Sequence, residues 1–359
     1  MDAARRRLLL LPLPLALVVA RSRADVAYPD VRQGAALRFP ADEGAHPTFR
    51  NEWWYVTGWL RDARARELGF QVTFFRNRPG VAEASDSRFA PKQLLFAHAA
   101  IADPAVARLA VDQRAAREGF DIARAATGAA DVRIDDWSLV QDGDRYVARV
   151  RGRTFALDLA FDARTPILLQ GDAGVSRKGP DAGDASFYYS RPQLAVSGSV
   201  SIGERVRDVT GVAWLDHEWS SRYLSHGAVG WDWTGINLDD GSALMAFRIR
   251  DAQGVATWAG GAYRDAAGAT HIFAPAAVAF AADRRWRSPR TGFEYPVRVR
   301  LRAGELELLL EPLFPDQELD ARAGVGTVYW EGAVRASIGG RIVGRGYLEL
   351  TGYGGALRL

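Results

Sequence analysis

The chain of 359 residues contains no cysteine, only two methionines and only two lysines, Lys92 and Lys178. Without cysteine there is no disulfide framework, no thiolate nucleophile and no cysteine-ligated metal; an oxidising compartment is permitted but not required. The chain also lacks a hydrophobic run long enough to span a bilayer. Its longest apolar stretch, Leu8 to Ala20, is interrupted by Pro12 and Pro14 and falls short of the roughly 18 residues that a spanning helix needs. No block of like charge occurs, so nothing marks a nucleic-acid or anionic-membrane surface. The first 24 residues hold five of the 46 basic and one of the 43 acidic residues, leaving 41 against 42 in the remainder, which is close to neutral.

That first segment has the composition of a secretory signal. Arg5, Arg6 and Arg7 precede the apolar run, and small residues lead to a cleavage point after Ala24. Paired arginines suit a twin-arginine route, and a plain positively charged leader accounts for them as well. The expected location is periplasmic or secreted, with no transmembrane segment in the mature protein.

What is present is alternation. Val297, Val299 and Leu301 alternate with arginines, Met245, Phe247 and Ile249 with Arg248 and Arg250, and Phe70, Val72 and Phe74 with Gln71 and Thr73. This period of two marks half-buried antiparallel strands, and turn signals such as Asp239-Asp240-Gly241 punctuate them. Only residues 104–118 suggest a helix. A diffuse repeat is also visible: WWYVTGWL at Trp53 lines up with WDWTGINL at Trp231, and GVAWLDHE at Gly211 with GYLELTGY at Gly346. The expectation is an all-β chain with domains over 25–223 and 224–359, joined near Tyr223 to Ala228.

Strand parity then assigns faces. Leu348 and Leu350 face inward if Glu349 faces out, which by the repeat sends Leu215, His217 and Trp219 inward and Trp214, Asp216 and Glu218 outward. Leu60 and Leu238 similarly place Glu52, Trp54 and Asp232 inward.

The blocks NEWWYVTGWL from Asn51, FAHAAIADP from Phe96, FYYSRPQLAVSG from Phe187, GVAWLDHEWSS from Gly211 and GWDWTGINLDDG from Gly230 resemble those of the carotenoid 1,2-hydratase family and its AttH-type secreted relatives. The resemblance spans the chain after the leader. It implies two lipocalin-like antiparallel β-barrels in tandem, an apolar isoprenoid or lipid ligand, a possible ABC-type export partner, and, for the hydratase branch, addition of water to a carbon-carbon double bond. His217 and Trp219 are the carry-over it suggests.

Such a hydration needs a proton donor, a surface that stabilises a carbocation and a placed water. Tryptophan faces stabilise cations by ~0.5–2 kcal/mol, or more away from water. His217, Trp219 and Asp232 are therefore the candidate catalytic residues, with Glu52 as the alternative carboxylate. Glu52, Trp53, Trp54, Asp216, Glu218, Trp231 and Trp233 are the candidate ligand-binding set. The plainer alternatives are a hydrogen-bonded core histidine, solvated carboxylates at 216 and 218, and tryptophans that fill barrels. His98 reads as structural, and Arg177 and Lys178 as a solvated loop. No esterase elbow is present, since Ser199 and Ser201 lack the glycine spacing. The sequence DHE lacks a second histidine four residues on, so neither metal nor other cofactor is expected. The two readings are a carrier of an apolar ligand and a hydro-lyase; a proton donor inside the pocket separates them.

Overall fold

The structure, a computed structural model, describes residues 26–322, 324 and 326–357; the segment expected to be a secretory leader, residues 1–24, lies outside the described residues. Among the described residues, apart from two short 3-10 turns, Ala41–Glu43 and Pro275–Ala277, the regular structure is strand. Thirteen strands from Asn51 to Arg222 form one antiparallel sheet, and ten from Ala228 to Leu350 form a second. In each, an opening strand lies beside a closing strand: Asn51–Asp62 pairs with Arg205–Arg222, and Ala228–Leu238 with Arg341–Leu350. These are two lipocalin-like barrels in tandem. The segment proposed as a helix contains instead the strand Arg108–Arg117, paired along its length with Leu94–Asp103; Leu109 and Val111 pack against Leu319, Ala321 and Tyr329 while Ala110 and Ala116 pack against the first interior, the two-faced alternation of a strand.

Each barrel is filled. Trp54, Phe70, Phe74, Trp137, Leu215 and Trp219 belong to the first interior, and Ile236, Val297, Leu310, Trp330, Leu348 and Leu350 to the second. A third apolar cluster, including Tyr55, Tyr188, Trp214, Trp233, Met245 and Phe247, lies between the barrels on the opposite faces of the same strands. Strands at this seam are thus buried on both sides, which is why Gln71 and Thr73, polar in the alternating pattern, are buried as well. At ~25 cal/mol per Å² and ~150–250 Å² per aromatic side chain, each such ring contributes about 4–6 kcal/mol before its ordering entropy is counted.

Directed contacts fix the seam. The Trp59 indole donates to the Gly346 carbonyl at 2.9 Å, and the Asn237 amide to the Ala213 carbonyl at 3.1 Å. Glu67 pairs with Arg335 and Arg345 of the other barrel at 2.7 and 3.0 Å. A β-bulge between Arg191 and Leu194 holds Gln193 at φ 58°, and its amide reaches the Leu238 and Ser242 carbonyls; the extra residue re-aims one side chain across the seam. At Gly69 the barrels approach so closely that a Cβ would lie 2.6 Å from the Ala333 Cβ.

The repeat holds with a shift. Gly211 pairs with Leu60 and Gly344 with Leu238, so Gly211 corresponds to Gly344 and not to Gly346. An offset of two leaves every face unchanged.

Candidate functional site

Two groups of side chains lie back to back across the first barrel's closing strand. Inside the barrel, Glu52 accepts hydrogen bonds from His217 Nε2 at 2.9 Å, His46 Nδ1 at 2.8 Å, the His46 backbone N–H at 2.9 Å and Arg76 Nε at 2.7 Å. Local pairing explains the grouping: Glu52 lies opposite both Arg76 and Trp219, and Trp54 opposite His217. The His217 ring stacks on Trp54 at 4.6 Å, and the His46 ring lies flat on Trp219 at 3.7 Å. Burial would push the Glu52 carboxyl up, but the donated hydrogen bonds from His217 and His46 and the Arg76 charge hold it well below the ordinary range. Burial pushes the His217 imidazole down, with Glu52 opposing. A neutral His217 is fully satisfied here, because its Nε2–H can donate to Glu52 while Nδ1 accepts from Tyr189 Oη at 3.2 Å.

On the strand's other face is a cavity of about 500 Å³ between the barrels. Its lining includes Trp53, Tyr55, Trp231, Trp233 and Phe247, together with Asp216, Glu218, Glu331, Glu349 and Lys178. Trp53 stacks on Tyr223 at 4.4 Å, and Tyr55 meets Trp233 edge-on at 5.2 Å. Asp216, only 2% exposed, accepts from Tyr188 Oη at 2.6 Å, from Trp214 Nε1 at 2.7 Å and from Ser190. Tyr188 in turn accepts from Trp233 Nε1 at 2.9 Å. Burial raises the Asp216 carboxyl to about 7 against these donors, and the Glu218 charge adds to the rise. Glu218 pairs with Lys178 at 2.9 Å and takes a bond from Ser186; the lysine ammonium sits 4.3 Å from the centre of the Phe247 ring.

The far wall carries two more acids. Glu331 and Glu349 lie directly opposite each other on neighbouring strands. Burial and the Glu349 charge push Glu331 well above its ordinary value; burial, with Asp216 and Glu218 adding, takes Glu349 to about 8. Glu331 Oε1 and Tyr55 Oη are buried without a hydrogen-bond partner among the described residues.

The structure therefore brings His217, Trp219, Glu52 and Trp54 together inside the first barrel. It gathers Trp53, Asp216, Glu218, Trp231 and Trp233 around the cavity. Asp232 joins neither group: it lies inside the second barrel, held by Arg248 at 2.6 Å, Arg250 at 2.8 Å and Tyr353 at 3.0 Å. The expected approach of Asp232 to His217 is thus corrected, because they lie in different interiors and the carboxylate that reaches His217 is Glu52. Asp216 and Glu218 face out of their barrel yet are not solvated, since the second barrel covers them. Lys178 is likewise buried and not part of a solvated loop. His98 bridges the barrels through Tyr329 Oη at 2.8 Å, and burial lowers its imidazole to about 4. Sequence reasoning missed His46, Arg76, Tyr188, Glu331 and Glu349; charged residues at alternate positions in apolar strands were the available signal for the last two.

Comparison with known proteins gives the class. The AttH-like family matches residues 30–353, and the chain belongs to it. A Nitrosomonas europaea protein described as an AttH is 51% identical, covering 90% of this chain and 99% of its own, with a TM-score of 0.85. Kievitone hydratase from Nectria haematococca shares the fold at 14% identity and a TM-score of 0.69, over 92% of this chain and 97% of its own. CghA does so at 13% and 0.55, over 92% and 96%. No protein of curated description matches the chain.

Proposed function

We propose that the inter-barrel cavity binds an apolar, unsaturated small molecule of the isoprenoid or lipid kind and adds water across one of its double bonds. The observation that carries this reading is the gathering of four carboxyl groups, the buried Asp216, Glu218 and Glu331 and the half-buried Glu349, around one aromatic-walled cavity, with desolvation raising Asp216 to about 7 and Glu349 to about 8. Acids that keep their protons near neutral pH are what alkene protonation requires, whereas a pocket lined by aromatic and aliphatic groups alone would suit carriage. The volume lies within the ~300–1,000 Å³ of small-molecule sites.

The roles follow from proton affinity and position. The Glu331–Glu349 pair, across from Asp216, holds a proton at neutral pH and delivers it to an alkene carbon. The cation that forms is flanked by the Trp231 and Trp233 rings and by the Glu218 carboxylate. Asp216, acting directly or through the Tyr188 hydroxyl, takes the proton of the attacking water. His217 and Trp219 then act from behind the strand: their stacking with Trp54 and His46, and the Glu52 bonds, fix the backbone that carries Asp216 and Glu218. The hydratase among the fold neighbours agrees with this reading without carrying it.

The second reading, carriage of the same ligand beside an ABC-type exporter, is favoured by the aromatic walls alone. The basic and apolar leader supports export to the periplasm or beyond, checked by N-terminal sequencing of the mature protein. Incubation with acyclic isoprenoids in heavy-oxygen water, followed by mass spectrometry of extracts, separates the readings. A hydroxylated product carrying the heavy oxygen, absent with Glu349→Gln and Asp216→Asn, is expected; a co-purifying lipid returned unchanged by all three proteins would establish carriage instead.

A further inference from the structure

We propose that His46, Glu52 and His217 form a binding site for a divalent transition metal of the zinc class. Their ligating atoms, His46 Nδ1, Glu52 Oε1 and His217 Nε2, lie within 4.8 Å of one another, with both imidazole nitrogens directed at the same carboxylate oxygen at 2.8 and 2.9 Å. Two imidazoles and one carboxylate make a donor set that suits zinc, cobalt or iron(II) and not calcium or magnesium. Bonds of ~2.0–2.2 Å in tetrahedral geometry put ligand atoms roughly 3.3–3.6 Å apart, so the metal enters by moving the two rings outward a little.

The outer atoms of all three ligands are already held. Glu52 Oε2 accepts from Arg76 Nε at 2.7 Å, His217 Nδ1 lies 3.2 Å from Tyr189 Oη, and His46 Nε2 lies 3.2 Å from Asp42 Oδ1. A carboxylate or hydroxyl behind a ligating imidazole is the usual second layer of a metal site. It also balances the protons: when the metal takes the inner nitrogen of each neutral ring, the proton stands on the outer nitrogen, where Tyr189 Oη and Asp42 Oδ1 accept it. Arg76 repels a cation, but it occupies Oε2 and leaves Oε1 to bind through one oxygen, while Asp42 offsets part of the charge. His46 is the partly exposed member, its side chain 16% accessible, so the fourth position opens toward water on that side. A DHE motif with no second histidine four residues on conceals such a site, because the second histidine comes from the irregular segment before the barrel.

The proposal is independent of the cavity chemistry, and its test reads binding and stability. Full-length protein stripped with a chelator is given zinc or cobalt(II) and gel-filtered. One equivalent retained, an intense four-coordinate cobalt(II) visible spectrum and a raised thermal midpoint are expected. His46→Gln, which keeps a hydrogen-bond donor but loses the ligating nitrogen and the stack on Trp219, should fold with a somewhat lower metal-free midpoint and lose all three metal responses. Asp42→Asn should keep the site with about 10- to 100-fold weaker affinity. Substoichiometric uptake by the parent protein, or equal uptake by His46→Gln, overturns the proposal and leaves the three residues as a hydrogen-bonded clasp.

Discussion

Replacing Glu52 by glutamine removes one charge from a place shut off from solvent. The side chains of Glu52 and Arg76 are 0% and 1% exposed. Without the carboxylate, the guanidinium keeps only neutral partners: Gln93 and the backbone carbonyls of His46 and Phe49. Breaking a buried pair by removing one partner costs about 3–5 kcal/mol, whereas removing both charges together is close to neutral. Glu52→Gln should therefore lose about 3–5 kcal/mol in urea unfolding followed by tryptophan fluorescence with chelator present, and Arg76→Met in the same chain should restore most of it. The pH dependence gives a second reading of the same contact. A carboxyl held below its unfolded value contributes stability that is complete above that value, 4.5, and is lost as the pH falls through the depressed one. The parent protein should lose this contribution below about pH 4.5, and the Glu52→Gln variant should show that much less acid sensitivity. A single variant within ~0.5 kcal/mol of the parent, or a double variant no more stable than the single, would refute the argument.

Other perturbations follow from the cavity and the seam. Glu349 and Glu331 hold protons in the folded state that the unfolded chain has lost, so their contribution is present at low pH and disappears as the pH rises through about 8 at Glu349; Glu349→Gln should be relatively more stable than the parent at pH 9, seen as a flatter alkaline limb in thermal midpoints. Lys178→Met strands Glu218 in the cavity wall, at a cost of about 3–5 kcal/mol, and chemical denaturation should show a smaller loss for Lys178→Met with Glu218→Gln. Gly69→Val drives a branched side chain into Ala333 and Tyr347; overpacking of this kind costs ~1–3 kcal/mol, and limited proteolysis should find the seam opened.

The alternation of apolar positions made the strands and their inward faces legible, including the shared interior of Glu52, Trp54, His217 and Trp219. It could not show what lay on the other face. Period two states that a residue points out of its barrel, not whether water or a second barrel waits there, so Asp216 and Glu218 read as solvated although they are buried. The same ambiguity concealed Glu349: its charge served to orient the closing strand, and it does point out of the barrel, into the cavity. His46 was invisible for a different reason, since it belongs to an irregular segment with no period to place it. Asp232 was given the right face and the wrong company, because parity fixes direction within a barrel and says nothing about which barrel's interior a repeat-matched residue enters.

Tandem packing of this kind gives each seam strand two uses. In the run Asp216-His217-Glu218-Trp219, even positions reach the cavity and odd positions the barrel interior, so every neighbour of a cavity acid along the chain belongs to the core that holds it in place. Rigid support from behind matters for the acids in particular. A desolvated carboxyl keeps its raised proton affinity only while water stays out and its donors stay aimed, and a strand free to shift by half an ångström would lose both. Substitutions at His217 or Trp219 should accordingly impair cavity chemistry while touching nothing in the cavity. The signature would be an altered proton affinity at Asp216, visible as a displaced pH profile, which separates support of the site from direct participation in it.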